Sequence, residues 1–225
     1  MPEKGEETMG KYHTVLFDMD GTILDTLDDL TDSVNHTLRQ MGYGERTREE
    51  VRAYLGYGSR HLMEMALGGA AEPKTVDEAF RIYRAWYGTH TQIKTKPYDG
   101  ITDVMRALRA RGIRVAVASN KPEAMVEKLC EYHFPGLVDA AVGDAEGRRR
   151  KPHSDMIDAV LSQLGVSRSG AVYVGDTEVD VQTAQNARLP VIAVGWGFRE
   201  REQQIEAGAT VFADTPDELL ALLTE

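Results

Sequence analysis

Six short apolar runs, rich in Val and Ala, recur between stretches of helical periodicity: His13 to Phe17, Ile113 to Ala118, Leu137 to Val142, Ala171 to Val174, Val191 to Val194 and Thr210 to Phe212. Runs of this length without polar alternation read as strands covered on both faces. The stretches between them carry helix punctuation. Pro122 opens one after the second run, and Thr215-Pro216-Asp217-Glu218 reads as a capping box with Pro at the first helical position. Strands alternating with helices pair in parallel, so the expected class is α/β with a doubly wound parallel sheet.

One interval breaks this rhythm. Between the first run and the second, no segment has the pattern of a buried strand, which predicts an inserted helical unit. Leu30, Val34, Leu38 and Met41 recur at helical spacing, and Thr47 with Glu50 and Thr75 with Glu78 read as capping boxes. The expected division is a disordered tail over 1–10, a core over 11–25 and 97–225, and a helical cap over 26–96, closed by the punctuation Pro97-Tyr98-Asp99-Gly100.

The first run leads directly into Asp18-Met19-Asp20-Gly21-Thr22. In open α/β sheets ligands gather beyond the carboxyl ends of the strands, so both carboxylates would lie where a ligand binds. Asp and Gly equally serve a plain turn. The fourth run ends in Gly175-Asp176-Thr177-Glu178-Val179-Asp180, where Asp176 could instead cap a helix. Two acidic loops facing each other repel unless a cation lies between them, and Mg²⁺ suits carboxylates with a phosphate. Ser119-Asn120-Lys121 ends the second run ahead of a helix start, an arrangement that suits either phosphate or simple capping. Lys151 follows Arg148-Arg149-Arg150 in what could be only a solvated basic loop.

These four stations, in this order, resemble the haloacid dehalogenase superfamily, whose motifs are a D-x-D-G-T loop, a strand ending in Ser or Thr, a Lys, and a G-D-x-x-x-D loop. The resemblance spans residues 13 to about 222. It implies a Rossmann-like core with an inserted cap, and a phosphatase that works through an aspartyl-phosphate. By that resemblance Asp18 is the nucleophile and Asp20 the proton carrier. Ser119, Asn120 and Lys151 hold the phosphate, Lys151 being counted as catalytic. Asp18, Asp20 through its backbone carbonyl, and Asp176 hold Mg²⁺, with Asp180 supporting from behind. Within the superfamily, Phe17 to Thr26 and the cap segment Leu55-Gly56-Tyr57-Gly58-Ser59-Arg60 look most like the phosphoglycolate phosphatase group. Tyr57, Gly58, Ser59 and Arg60 are the expected cap contacts, with Ser59 opening a helix toward an anion and Arg60 gripping a substrate carboxylate. Two positions depart from the relatives' usual pattern: Ser154 stands where they often have a second Pro, and Ala187-Arg188 where they often close the helix with Gly.

Composition narrows the partners. A net charge of -10 opposes binding to nucleic acid, and no stretch approaches the length of a membrane span. The single cysteine, Cys130, excludes a disulfide within the chain and a Cys-based zinc site. The expectation is a cytoplasmic monomer or homodimer acting on a small phosphorylated metabolite. Two alternatives stand beside the phosphatase. A sugar phosphomutase of the β-phosphoglucomutase type would return its phosphate to a sugar, although Thr22 stands where related mutases often have Val. A phospho-accepting signalling module would lack both the helical insertion and the late pair of Asp176 and Asp180.

Overall fold

The computed structural model describes residues 11–225; the expected tail over 1–10 lies outside the described residues. The first strand, β1, is Thr14–Phe17, fully buried. After a short β2 at Leu24–Asp25 come four helices, α1 Leu27–Gln40, α2 Arg48–Tyr54, α3 Ser59–Ala66 and α4 Pro73–Tyr87, and then β3 at Lys96–Pro97. The chain then alternates: α5 Ile101–Ala110, β4 Arg114–Pro122, α6 Glu123–His133, β5 Ala140–Asp144, α7 Asp155–Leu164, β6 Ala171–Gly175, α8 Glu178–Ala187, β7 Val191–Val194, α9 Arg201–Glu206, β8 Phe212–Ala213 and α10 Pro216–Thr224.

Six strands form one sheet in the order β5-β4-β1-β6-β7-β8, and every pairing in it is parallel. The apolar runs belong inside this sheet because helices cover both of its faces. Val15, Phe17, Val115, Val117, Val172 and Val174 pack with residues of α5, α6 and α10 on one side. Leu16, Ala116, Ala118 and Tyr173 pack with residues of α7 and α8 on the other. β1 lies between β4 and β6, with Phe17 in register with Val117 and Val174. The chain winds away from β1 in both directions, and the crevice at such a switch point is where ligands bind in this architecture.

Several expected boundaries shift. β4 runs on to Pro122, which both ends the strand and caps α6. β5 begins at Ala140, because Leu137 and Val138 serve as partly buried packing in the turn after α6. β8 starts at Phe212, later than the run at Thr210 indicated. Thr215 does accept from the backbone of Glu218, but the Glu218 carboxylate turns to the backbone N–H of Asp214, so the reciprocal half of that capping box is absent. At the end of α8, Arg188 holds a left-handed conformation with φ 56°, the backbone that the relatives' Gly adopts without strain.

The four inserted helices enclose an apolar cluster of their own, built on Leu30, Val34, Leu38, Val51, Leu62, Met63, Tyr83 and Tyr87. Phe198, from the core, joins that cluster. The Thr47–Glu50 capping box forms. Thr75 and Glu78 do not make one, because α4 starts two residues earlier, at Pro73 behind an extended Glu72. Proline's fixed φ suits the first helical turn, and this places Thr75 inside the helix. The two connections to the core pair with each other as β2 and β3, Leu24 opposite Pro97. Asp29, buried at the start of α1, accepts from the backbone N–H groups of Ile93, Lys94 and Thr95 and from the Thr95 hydroxyl. That carboxylate ties the returning chain to the first inserted helix.

Candidate active site

The parallel register brings four loops together at the carboxyl ends of β1, β4, β5 and β6. Asp18 follows β1 directly, and its backbone N–H donates to the Val174 carbonyl at 2.9 Å. Gly21 then turns the chain at φ 85°, and a Cβ there would strike the Asp176 carboxylate. Thr22 donates to Asp176 Oδ1 at 2.8 Å, while the Phe198 N–H donates to Oδ2 at 2.7 Å. Asp176 is therefore held from two loops. It does not cap α8: that position belongs to Thr177, whose backbone N–H and hydroxyl donate to Asp180 Oδ2 at 3.0 and 2.7 Å.

Asp18, Asp176 and Asp180 each place an oxygen within 4.8 Å of the others, and all three are buried. One cation stands among them. Lys151 Nζ lies 2.7 Å from Asp180 Oδ1 and 2.8 Å from Asp18 Oδ1. The bond to Asp180 has hydrogen-bond geometry; the approach to Asp18 does not, and Asp18 Oδ1 keeps no hydrogen-bond partner. Burial, then the neighbouring Asp180 charge, push the Asp18 carboxyl up to about 7, against the opposing pull of Lys151. Burial and the charges of Asp180 and Asp18 hold Asp176 well above the usual carboxylate range, despite its two hydrogen bonds. Burial would lower the Lys151 ammonium, but Asp18 and Asp180 outweigh it and hold it well above its ordinary value.

Three buried carboxylates with one ammonium carry, when ionised, more negative charge than Lys151 compensates, and Asp18 Oδ1 has no partner in hydrogen-bond geometry. The donor set fits a divalent cation, for which oxygen ligands of this kind are the usual choice. Asp180 is the most heavily engaged of the three: it accepts from the Thr177 N–H and hydroxyl, from Lys151 and from the Tyr173 hydroxyl, whereas each Asp176 oxygen accepts a single bond. One of these bonds fixes the Lys151 ammonium.

The remaining expected residues divide. Ser119 is buried and lines the central cavity with Asp18, Asp20 and Lys151. Asn120 lines it too, but its amide is fully engaged: Nδ2 donates to the carbonyls of Gly56 and Lys151, and Oδ1 accepts from the Lys151 N–H. It positions Lys151 and the cap loop, leaving no side-chain donor for a phosphate. The basic run before Lys151 is paired throughout, Arg148 with Glu123, Arg149 with Asp155 and Arg150 with Asp144. In the cap, Gly58 and Ser59 line the cavity, and α3 begins at Ser59 with Gly58 as its cap residue. Tyr57 is half-exposed and packs edge-on to His61. Arg60 turns outward, where Asp77 binds it at 2.8 Å, and it does not reach the cavity.

Lys121 enters the sequence pattern only as the last residue of Ser119-Asn120-Lys121, without a role of its own, and Tyr83, Tyr87 and Arg199 do not enter it. Lys121 Nζ, at the end of β4, donates to the Tyr87 hydroxyl at 2.6 Å and lies 3.1 Å from Asp20 Oδ1. Tyr83 and Tyr87 read as helix core, and burial holds both hydroxyls well above their ordinary pKa, Tyr87 first through desolvation and then through Asp20. Arg199, buried beside the site, donates to the carbonyls of Arg52 and Leu55 in the cap, and Arg52 returns a bond to the Gly197 carbonyl. These bonds seat the cap on the core around a cavity of about 40 Å³. Among the described residues, no helix is long and apolar enough to cross a membrane.

Comparison with known proteins agrees with this geometry. The family described as haloacid dehalogenase-like hydrolase matches residues 15–194. A phosphoglycolate phosphatase of Rhodospirillum rubrum is 34% identical over 89% of this chain and 86% of its own length. That of Aquifex aeolicus is 31% identical over 85% of this chain and 88% of its own. The crystal structure of a candidate phosphoglycolate phosphatase from Lactobacillus delbrueckii superposes with a TM-score of 0.91 at 38% identity, covering 95% of this chain and 99% of that one. The family match over residues 15–194 spans the helical insertion and the four loops at the strand ends, and the chain belongs to the haloacid dehalogenase-like hydrolase family.

Proposed function

We propose that the phosphoric monoester this hydrolase cleaves is a small one, phosphoglycolate foremost, and that it does so with Mg²⁺ through an aspartyl-phosphate on Asp18. The observation that carries the reading is the pair of carboxylates at the end of β1. Asp18 is buried against Lys151 with one oxygen unpartnered, and Asp20, two residues on, also keeps an unpartnered buried oxygen. The names of the relatives at 31% and 34% identity support the substrate.

Asp18 attacks the phosphorus and forms the acyl phosphate, while the departing alkoxide takes a proton from the Asp20 carboxyl. Water then attacks the phosphoenzyme, gives its proton to Asp20, and releases inorganic phosphate and free Asp18. Lys151 stays charged because two carboxylates flank it, and it supplies positive charge where the phosphoryl oxygens gather. Ser119 offers a hydroxyl on the same wall. Mg²⁺, held by Asp18, Asp176 and the Asp20 backbone carbonyl, would neutralise phosphoryl oxygens and keep Asp18 ionised. Arg199 and Asn120 keep the cap loop seated, which excludes bulk water from the phosphoenzyme.

The test is a panel of small phosphate esters assayed with and without Mg²⁺, with Asp18→Asn beside the wild type. The expected result is Mg²⁺-dependent release of inorganic phosphate, fastest from phosphoglycolate and absent in the variant. Transfer of phosphate to a sugar without net release would favour the mutase instead, and substantial activity in Asp18→Asn would remove the nucleophile.

A further inference from the structure

The geometry points to Lys121, with the Tyr83 hydroxyl, as the subsite that recognises a carboxylate on the substrate's leaving group. This rests on the phosphatase reading above and says which of the chain's residues select the ester.

The side chain of Lys121 is only 3% exposed, and a buried ammonium needs partners for its three protons. Among the described residues its one hydrogen bond goes to the Tyr87 hydroxyl. The Asp20 oxygen pairs with it as an ion at 3.1 Å, but outside hydrogen-bond geometry. One hydrogen bond and one ion pair leave donor capacity on Lys121 for a further partner, and the residue lines the cavity. The Tyr83 hydroxyl, on the cap side of the same cavity, is buried and unpartnered as well. Ser59 stands beside it, near enough to interact with the hydroxyl but outside hydrogen-bond geometry. A cation and a hydroxyl, both buried and both short of partners, face one small space from opposite sides.

Position identifies the ligand's chemistry. Asp20 hands its proton to the leaving oxygen, so whatever that oxygen carries must lie within a few ångströms of Asp20, where Lys121 already is. A buried, under-coordinated ammonium prefers an anion, and Tyr83 and Ser59 add hydroxyl donors. The phosphoryl group is served elsewhere, by Lys151 and the acidic cluster. The second anion is therefore a carboxylate on the carbon next to the ester oxygen, as in phosphoglycolate. Arg60, the residue the cap sequence singled out for this task, is occupied by Asp77 on the outer surface.

The experiment compares kcat/KM for phosphoglycolate and for ethyl phosphate, which has the same two-carbon skeleton without the charge, in the wild type, Lys121→Met and Tyr83→Phe. Wild type should prefer phosphoglycolate. Lys121→Met should lower that preference about 10- to 100-fold, as expected for removing one charged hydrogen-bond partner, while ethyl phosphate turnover changes far less. Tyr83→Phe, which removes only a hydroxyl, should lower the same preference by a smaller factor and serves if Lys121→Met fails to fold. A wild type that prefers phosphoglycolate, with the preference unchanged in the folded variants, would overturn the inference while sparing the phosphoglycolate reading. An equal loss on both esters would also overturn it, by making Lys121 a positioning residue for Asp20. A wild type without preference would overturn both.

Discussion

Chelating the divalent cation should give a protein whose stability falls as pH rises from about 5 to about 7, the reverse of what an ordinary ion-paired carboxylate produces. In the folded chain, burial and the Asp180 charge push the Asp18 carboxyl from 3.8 up to about 7. Between those values the folded state holds a proton that the unfolded state has lost, so each pH unit costs the fold about 1.4 kcal/mol. Below the lower value nothing is lost. Above the upper one the loss levels off, at about 4 kcal/mol for Asp18 alone, and Asp176 shifts in the same direction. Set against a typical total stability of about 5–15 kcal/mol, this is readily measured. The assay is urea unfolding from about pH 5 to about pH 8, in EDTA and in saturating Mg²⁺, for wild type and Asp18→Asn. In EDTA the wild type should lose about 2 kcal/mol between pH 5 and 7 through Asp18 alone. Mg²⁺ should flatten the profile because a bound cation stabilises the carboxylates, and Asp18→Asn should reduce the slope without metal, leaving the part that belongs to Asp176. A wild-type profile that is level in EDTA, or that Mg²⁺ leaves unchanged, would refute the account of these carboxylates as an uncompensated buried cluster.

Three further outcomes follow from the same geometry. Asp20→Asn should slow hydrolysis of alkyl phosphates by about 100-fold or more, but that of p-nitrophenyl phosphate much less, because a good leaving group needs no proton; equal losses would take the proton-carrier role away. Gly197→Ala pushes a Cβ into the Asp176 carboxylate, so it should weaken Mg²⁺ activation and cost about 1–3 kcal/mol in thermal unfolding; wild-type Mg²⁺ titration would show that this close approach is dispensable. Arg60→Ala removes an exposed pair with Asp77, so kcat/KM for phosphoglycolate should stay within about twofold and stability within about 1 kcal/mol; a large loss specific to phosphoglycolate would restore Arg60 to the substrate site.

Much of the architecture follows from local pattern. Short apolar runs without polar alternation must be covered on both faces, and this alone yields a parallel sheet with helices on each side. The missing strand signal between Phe17 and Ile113 likewise announced the inserted helices. Capping signals were less dependable where a stronger neighbour competed: Pro73 started α4 ahead of Thr75, and Glu218 turned to Asp214.

The sequence by itself also determined which chemistry was available, because acids, a hydroxyl and a lysine placed directly after buried strands have nowhere to go but the carboxyl edge of the sheet. Tertiary structure decided how those groups share the work. The strand order sets β4 and β6 on either side of β1, and only that adjacency puts Lys121 beside Asp20 and Thr22 on Asp176. Asp176 and Asp180 look alike along the chain, yet Thr177 and Lys151 take up Asp180, whereas Asp176 is held by Thr22 and the Phe198 backbone. Arg60 and Lys121 are both long cations near the site, and neither spacing nor composition separates them. The direction of α3 sends Arg60 out to Asp77 in solvent, whereas the cap closing over β4 buries Lys121 against Tyr87, where water can no longer satisfy its charge.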